Sequence, residues 1–138
     1  MAAMVEFELV SPERLVKSAP VEMVVVPCVE GDIGVLPGHS PLIATVRLGV
    51  IDIHEQGRVV ESIFVAGGFA EVSPERCTVL AEEAVPVADL ERGAVEKRLS
   101  QAKEALGDAE IPAQKKTAER AVRVAEAMLK AIEPRRAA

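Results

Sequence analysis

The sequence predicts a β + α chain: an N-terminal β-sandwich, shaped as a flattened barrel, followed by an antiparallel two-helix hairpin. Up to about residue 87 the apolar residues form many short runs separated by turn residues, which is typical of sandwiches and barrels. From residue 88 onward they recur every three or four positions, as in helices. The balance of charge changes at the same place as the spacing of the apolar residues. Residues 1–87 contain 13 acids and 5 bases, whereas residues 88–138 contain 9 acids and 11 bases. The expected domains are therefore residues 1–87 and 88–138.

The first strands are predicted from their apolar pattern. Val5, Phe7 and Leu9 alternate with glutamates, which indicates a half-buried strand. Residues 21–26 form a nearly continuous apolar run, and we expect Pro27 to end it.

Two hairpins follow from the turn residues. Residues 50–54 and 58–65 flank Glu55-Gln56-Gly57, and residues 69–72 and 77–81 flank Ser73-Pro74-Glu75-Arg76. Gly67 and Gly68 lack the lysine and the helix that a phosphate-binding loop requires, so a bulge or close approach in a sheet is the better interpretation.

The second half predicts two amphipathic helices. In the first, Asp89 is the expected N-cap and Gly107 the expected C-terminal stop. Its apolar seam is Val95, Leu99, Ala102 and Leu106. In the second, Pro112 suits the first turn, and Pro134 is expected to end the helix. Its seam is Ala118, Val122, Ala125, Leu129 and Ile132. Alanine seams bury little area, so the hairpin is expected to be held weakly.

Composition excludes several functions. Three aromatic residues and a net charge of −6 argue against nucleic-acid binding. No apolar run is long enough to cross a bilayer, and the N-terminus lacks a basic segment before an apolar one, so we expect membrane association only through partners. Two histidines without companions at ligand spacing predict no metal, and no catalytic constellation is present. Cys28 and Cys77 are expected to be free buried thiols, with a disulfide as the alternative.

The segment Gly31–Leu42 holds three glycines and two prolines in twelve residues. We expect a succession of tight turns around one short apolar piece, residues 33–36. The segment sets Asp32 and His39 on a stiff frame, which loses little entropy on docking. Plain turn roles are the alternatives, an acid that forms the turn and a histidine that hydrogen-bonds its own loop.

Three motifs carry a resemblance to a known family. Gly31–Leu42, read G-D-I-G-V-L-P-G-H-S-P-L, resembles the loop of the epsilon subunit of F-type ATP synthases, which is called delta in mitochondria. Val65–Val72 is similar to the family's Gly-Gly-Phe-x-Glu-Val strand, and Thr78–Glu82 to the strand before its helices. The resemblance covers essentially the whole chain in the right order.

The resemblance implies a non-catalytic rotor subunit of a bacterial synthase, peripheral on the cytoplasmic face of the inner membrane. The implied partners are the γ subunit, the membrane rotor ring and the catalytic α and β subunits. In the family, an acid and a histidine of the loop face the ring, and they correspond here to Asp32 and His39.

The resemblance also implies that the helical hairpin inhibits ATP hydrolysis through basic residues of its second helix. The candidates here are Lys115, Lys116, Arg120 and Arg123. The alternative is a solvated face with i,i+4 ion pairs, Glu119 with Arg123 and Glu126 with Lys130. Arg135 and Arg136 add to the excess of bases.

Weak regulatory ATP binding is a further implication, because some bacterial members bind ATP at the start of the first helix. Glu83, Asp89 and Arg92 match that pattern, whereas Ala88 and Gly93 depart from it. The alternative is that Asp89 caps the helix and Arg92 is solvated. No other cofactor is expected.

Two other classes of function remain as alternatives. A free-standing adaptor fits the composition and the periodicity equally well but not the three motifs, and a small-molecule enzyme is more distant. Co-purification with γ and the catalytic head would distinguish the rotor subunit from the adaptor, and turnover by the isolated chain would indicate an enzyme.

Overall fold

A computed structural model describes residues 3–133, which form two compact units, residues 3–86 and 87–133. The first unit contains strands β1 (Val5–Val10), β2 (Leu15–Val21), β3 (Met23–Cys28), β4 (Gly31–Val35), β5 (Leu42–Glu55), β6 (Arg58–Val72), β7 (Arg76–Ala81) and β8 (Ala84–Pro86). The second contains a 3-10 turn (Val87–Asp89) and helices α1 (Arg92–Asp108) and α2 (Pro112–Ile132). The predicted fold class is confirmed.

A long hairpin of β5 and β6 forms the centre of the first unit. The strands are 14 and 15 residues long and pair from Glu55 and Arg58 at the turn to Leu42 and Val72 at the far end. The turn residue Gln56 has a φ of 52° and Gly57 a φ of 77°, the two positive values that a type I′ turn requires. This hairpin is the predicted one, extended at the ends away from the turn.

The other strands add to the two sides of this hairpin. The order is β2-β1-β7-β6-β5-β3-β4, and β8 pairs with β6. The neighbours are antiparallel except β1 and β7, which are parallel. Val5, Phe7 and Leu9 of β1 face inward, as predicted, and join a core drawn from β1 to β8. In residues 3–133 the fully buried side chains are apolar, so the unit is stabilised by burial rather than by internal polar networks.

Gly67 and Gly68 lie where β6 changes its partner. Residues 63–65 pair with β8, and residues 68–72 pair with β7. Gly68 has a φ of 124°, and a Cβ there would overlap the carbonyl oxygen of Leu80 and lie 2.9 Å from Cα of Ala81. The close backbone approach expected for this pair is therefore confirmed.

Two expectations are wrong, one about turns at Gly31–Val35 and one about the end of β3. Gly31–Val35 is not a series of turns but strand β4, paired along its length with β3, because as an edge strand it tolerates glycines and needs hydrogen bonds on one side only. Pro27 does not end β3. It lies inside the strand, at a break in the β3–β5 ladder between Val25 and Cys28, where its missing N–H is tolerated.

Both cysteines are free and buried, as expected. Burial raises the pKa of Cys77 to about 12, and the nearby Cys28 thiol adds to this shift. Burial also raises the pKa of Cys28, while Arg47 lowers it and Asp32 raises it. Both thiols are therefore protonated at neutral pH and poorly reactive.

The helices differ from the prediction at their ends. Asp89 is not the N-cap of α1, because it lies in the 3-10 turn and Glu91 precedes the helix. Gly107 is not the stop, since α1 continues to Asp108. Pro112 does begin α2, where Oε1 of Gln114 accepts hydrogen bonds from the N–H groups of Glu110 (3.0 Å) and Ile111 (3.4 Å). Pro134, expected to end α2, lies outside the described residues.

The helices pack against each other, and their buried faces are narrow. In α1 the predicted seam holds, with Val95 and Ala102 buried and Leu99 and Leu106 half-buried. In α2 the buried stripe is rotated from the predicted seam, because Val122, Leu129 and Ile132 are only half-buried. The buried residues of α2 are Ala118, Val124, Ala125, Met128 and Ala131.

We predict that Gly68→Ala destabilises the chain by about 2–4 kcal/mol, because the new methyl group forces β6 and β7 apart at a strained φ. Urea unfolding followed by circular dichroism measures the change. The control is Gly107→Ala, the same substitution at a helical position with open space around it, which should be neutral or stabilising by up to about 1 kcal/mol. Equal stability of the two variants would contradict the argument.

Candidate functional site

Asp32 lies on β4 and is held by an ion pair. Its Oδ1 accepts a hydrogen bond from Nη2 of Arg47 at 2.6 Å. The side chains of Asp32 and Arg47 are 60% and 43% exposed, so the pair lies at the protein surface. A partner that approaches β4 therefore meets a carboxylate whose position is set by the protein.

The same arginine makes a second bond. Nη1 of Arg47 donates to the carbonyl oxygen of Cys28 at 2.6 Å, at the end of β3. Arg47 was missed by the sequence analysis. It lies 15 residues from Asp32, and only the pairing of β3 with both β4 and β5 brings the two residues together.

His39 lies in the loop between β4 and β5. Its ring Nδ1 is 2.7 Å from the carbonyl oxygen of Ser40. Its backbone N–H donates to the carbonyl oxygen of Leu36 at 3.2 Å. The loop is fixed to the β6–β7 turn by a 2.7 Å bond from the N–H of Gly38 to the carbonyl oxygen of Pro74. The histidine thus hydrogen-bonds its own loop, and no hydrogen bond or ion pair among residues 3–133 joins it to Asp32.

A row of exposed apolar side chains crosses the outer face of β5, β6 and β7. Phe69 and Leu80 are direct cross-strand partners with 59% and 54% of their surface exposed, and Ile43, on β5, is 73% exposed. A contiguous group of large apolar side chains on a surface is a candidate contact with another protein. We call these three residues the apolar row. The sequence analysis missed the row, although the outward position of Phe69 follows from its alternation with the buried Ala70.

The candidate inhibitory bases lie on one helix. Lys115, Lys116, Arg120 and Arg123 are all exposed along the first half of α2. Among the described residues, Glu119–Arg123 and Glu126–Lys130 do not reach the 4.0 Å ion-pair distance, whereas Arg120 does have an interaction partner. Arg135 and Arg136 lie outside the described residues.

The three candidate nucleotide-binding residues lie at three different places along the chain. Glu83 is half-buried, and its backbone carbonyl accepts a bond from the N–H of Ala66 at 2.9 Å. Asp89 is exposed in the 3-10 turn. Arg92 begins α1 and lies 3.9 Å from Glu96. Glu83 belongs to the first compact unit, and Asp89 and Arg92 belong to the second.

Two structural features bear on metal binding and on membrane crossing. Within residues 3–133 no three histidine, cysteine or acidic side chains are grouped as metal ligands. Neither α1 nor α2 has the length and apolar character that a membrane crossing requires.

Comparison with known proteins settles the family. Residues 4–87 match the family described as ATP synthase, Delta/Epsilon chain, beta-sandwich domain. The ATP synthase epsilon chain of Paramagnetospirillum magneticum is 57% identical over 132 residues, which are 96% of this chain and 99% of the relative. The chain belongs to the ATP synthase delta/epsilon family.

Other members agree with this placement in the delta/epsilon family. The epsilon chain of Rhodospirillum rubrum is 55% identical over 95% of this chain and 98% of its own length. Among solved structures, a chain of the Euglena gracilis mitochondrial ATP synthase aligns with a TM-score of 0.77 at 23% identity, over 95% of this chain and 82% of that one. A Tetrahymena thermophila chain aligns with a TM-score of 0.63 at 15% identity, over 94% of this chain and 96% of that one. These two structures share the fold, which confirms the predicted fold, and the family match with the two bacterial relatives confirms the predicted family.

Proposed function

We propose that this chain is the non-catalytic rotor subunit of a bacterial F-type ATP synthase, where it couples the membrane rotor ring to the catalytic head through the γ subunit. The observation that carries the proposal is the near full-length match to ATP synthase epsilon chains, which includes both compact units. Its membrane association runs through these partners, at the cytoplasmic face of the inner membrane.

The ring-facing surface we propose contains Asp32 and His39. Each is held from outside its own segment, Asp32 through its side chain by Arg47 and the His39 loop by the bond from Gly38 to Pro74. Groups that are held in place lose little conformational entropy on binding, which suits a contact that must transmit torque.

The γ-facing surface we propose is the apolar row. A subunit that stays bound to γ through every rotation needs a permanent interface, and permanent interfaces are more apolar than transient ones. Ile43, Phe69 and Leu80 supply that character on the rigid β5–β6–β7 sheet.

The helical hairpin is proposed as the inhibitory element. Its four exposed bases can meet an acidic segment of a catalytic subunit. The buried residues of α1 and α2 are mostly alanine and valine, so little apolar area holds the helices together. An element that occupies a permissive and an inhibitory position needs two states of similar free energy.

The proposal includes weak ATP binding through Glu83, Asp89 and Arg92. We expect a calorimetric titration with millimolar ATP to give a small heat that Arg92→Gln abolishes. Arg58→Gln, which removes the same charge from the turn end of β6, is the control. A flat titration of the native chain would exclude ATP as a ligand.

Asp32→Lys is expected to weaken binding to the rotor ring roughly tenfold, because it reverses the charge presented to the ring and places two cations side by side at Arg47. The measurement is the affinity of the complete catalytic head, carrying the variant, for rotor rings in vesicles. Glu13→Lys makes the same charge change in the exposed β1–β2 connection and should bind normally. Normal binding by Asp32→Lys would remove Asp32 from the ring contact.

A chain stopped after Val87 is expected to bind the catalytic head without inhibiting it, whereas the full chain inhibits ATP hydrolysis. The truncated chain keeps the whole sandwich core, which extends from Val5 to Ala84. The test is a titration of both chains into a head depleted of this subunit. Replacing Lys115, Lys116, Arg120 and Arg123 by glutamine should also relieve inhibition, and replacing Lys97 and Lys103 of α1 should not.

If both chains bind and neither inhibits, the subunit couples rotation but the inhibitory role fails. If neither binds the head, the rotor proposal itself fails.

A further inference from the structure

The guanidinium group of Arg47 joins three strands beside Asp32. Arg47 lies on β5, its Nη1 bonds the last residue of β3, and its Nη2 bonds the second residue of β4. Both bonds measure 2.6 Å, and they use different nitrogens of a planar group. A planar fork fixes two acceptors relative to each other as well as to itself, which a single-point donor cannot do.

The backbone ladder between β3 and β5 is interrupted close to this link. The pairing of β3 with β5 is interrupted between Val25 and Cys28, and Pro27 has no N–H to donate. Beyond the break, the N–H of Val29 bonds the carbonyl oxygen of Thr45 at 2.9 Å. Strand β4 is at the edge of the sheet and reaches β5 only through β3. The Arg47 side chain therefore provides a direct link between β5 and β4 that the ladder does not.

The exposure of this ion pair indicates what it does. Both side chains are about half exposed, and ion pairs at that exposure add little to the stability of a fold. The two hydrogen bonds nevertheless define where the carboxylate of Asp32 points. Its Oδ1 is taken by Arg47, and Oδ2 makes no hydrogen bond to residues 3–133, so one acceptor remains for a partner.

From this geometry we infer that Arg47 is a positioning residue for the rotor-ring contact: it holds the Asp32 carboxylate with one oxygen engaged and the other presented to a hydrogen-bond donor of the ring. The inference rests on the proposed function. It assigns the recognition to Asp32 and the preorganisation to Arg47, and it requires the effect of Arg47 to pass through Asp32.

A double-mutant cycle tests this dependence. The complete catalytic head, assembled with each variant chain, is bound to rotor rings reconstituted in phosphatidylcholine vesicles, and the dissociation constant is measured. Arg47→Met keeps the stem of the side chain and loses both bonds, and we expect binding about fivefold weaker from lost preorganisation. Asp32→Asn should weaken binding at least as much. In the Asp32→Asn background, Arg47→Met should then have little further effect.

Two further variants separate positioning from folding. Arg47→Lys keeps the charge but can serve only one acceptor well, so it should restore part of the affinity. Arg58→Met removes an arginine from the turn end of β6 and should leave ring binding unchanged. The melting temperature of the chain should change little in Arg47→Met, since the pair is exposed.

The outcomes distinguish a failure of the proposed ring contact from a failure of the positioning role of Arg47. If the native head does not bind the ring, the proposed ring contact fails and the inference fails with it. If the native head binds and Arg47→Met binds equally well, only the inference fails. The inference would also be overturned if Arg47→Met weakened ring binding as much in the Asp32→Asn background as in the native chain. Arg47 would then contact the ring itself or act through the fold.

Discussion

The β5–β6 hairpin is the constraint on which the rest of the first unit depends. Its two strands run side by side over nearly their whole lengths, and the positive φ angles of Gln56 and Gly57 set their register. Strand β3 adds to β5, while β7 and β8 add to β6, so the remaining strands are placed directly or indirectly by this one pairing. The carbonyl and amide groups of the hairpin therefore define the frame in which every outward side chain is presented.

Both candidate surfaces follow from that register. Arg47 projects from β5 next to the buried Val46, and Phe69 projects from β6 next to the buried Ala70. Ile43 lies on the same side of β5 as Arg47. A slip of one residue would turn these side chains inward and bring core residues to the surface. The Asp32–Arg47 pair and the apolar row are thus two results of the same backbone pairing, although they suit partners of different chemistry. In the proposed function, these two surfaces let a single domain join two rotor components.

The sequence predicts those parts of the fold that depend on local patterns. Alternation in residues 5–9, the Gln56-Gly57 turn and the helical spacing after residue 90 each give the observed element, because the cause is contained in a few neighbouring residues. The errors arise where pairing partners decide the outcome. Gly31–Val35 has the composition of a turn, yet β3 supplies it with a ladder, and Pro27 is accepted because the ladder to β5 is interrupted there.

In the candidate site, too, local sequence motifs identify some residues and only the assembled strands identify the others. Asp32 and His39 were selected by resemblance to a family loop, whereas Arg47 belongs to no local motif. Its relation to Asp32 exists only after three strands have assembled. The apolar row was overlooked for a related reason, since exposure of Phe69 and Leu80 is a property of the assembled sheet and not of either strand alone.

The apolar row has a consequence for the chain before it is assembled. A newly synthesised copy carries a phenylalanine, a leucine and an isoleucine in contact with water on a surface without partner, and such a surface attracts other exposed apolar segments. The cell therefore gains from producing this subunit in step with its partners and from removing the surplus. In the proposed γ contact, the side chains that secure the subunit are the same ones that make an orphan copy a target for chaperones and proteases.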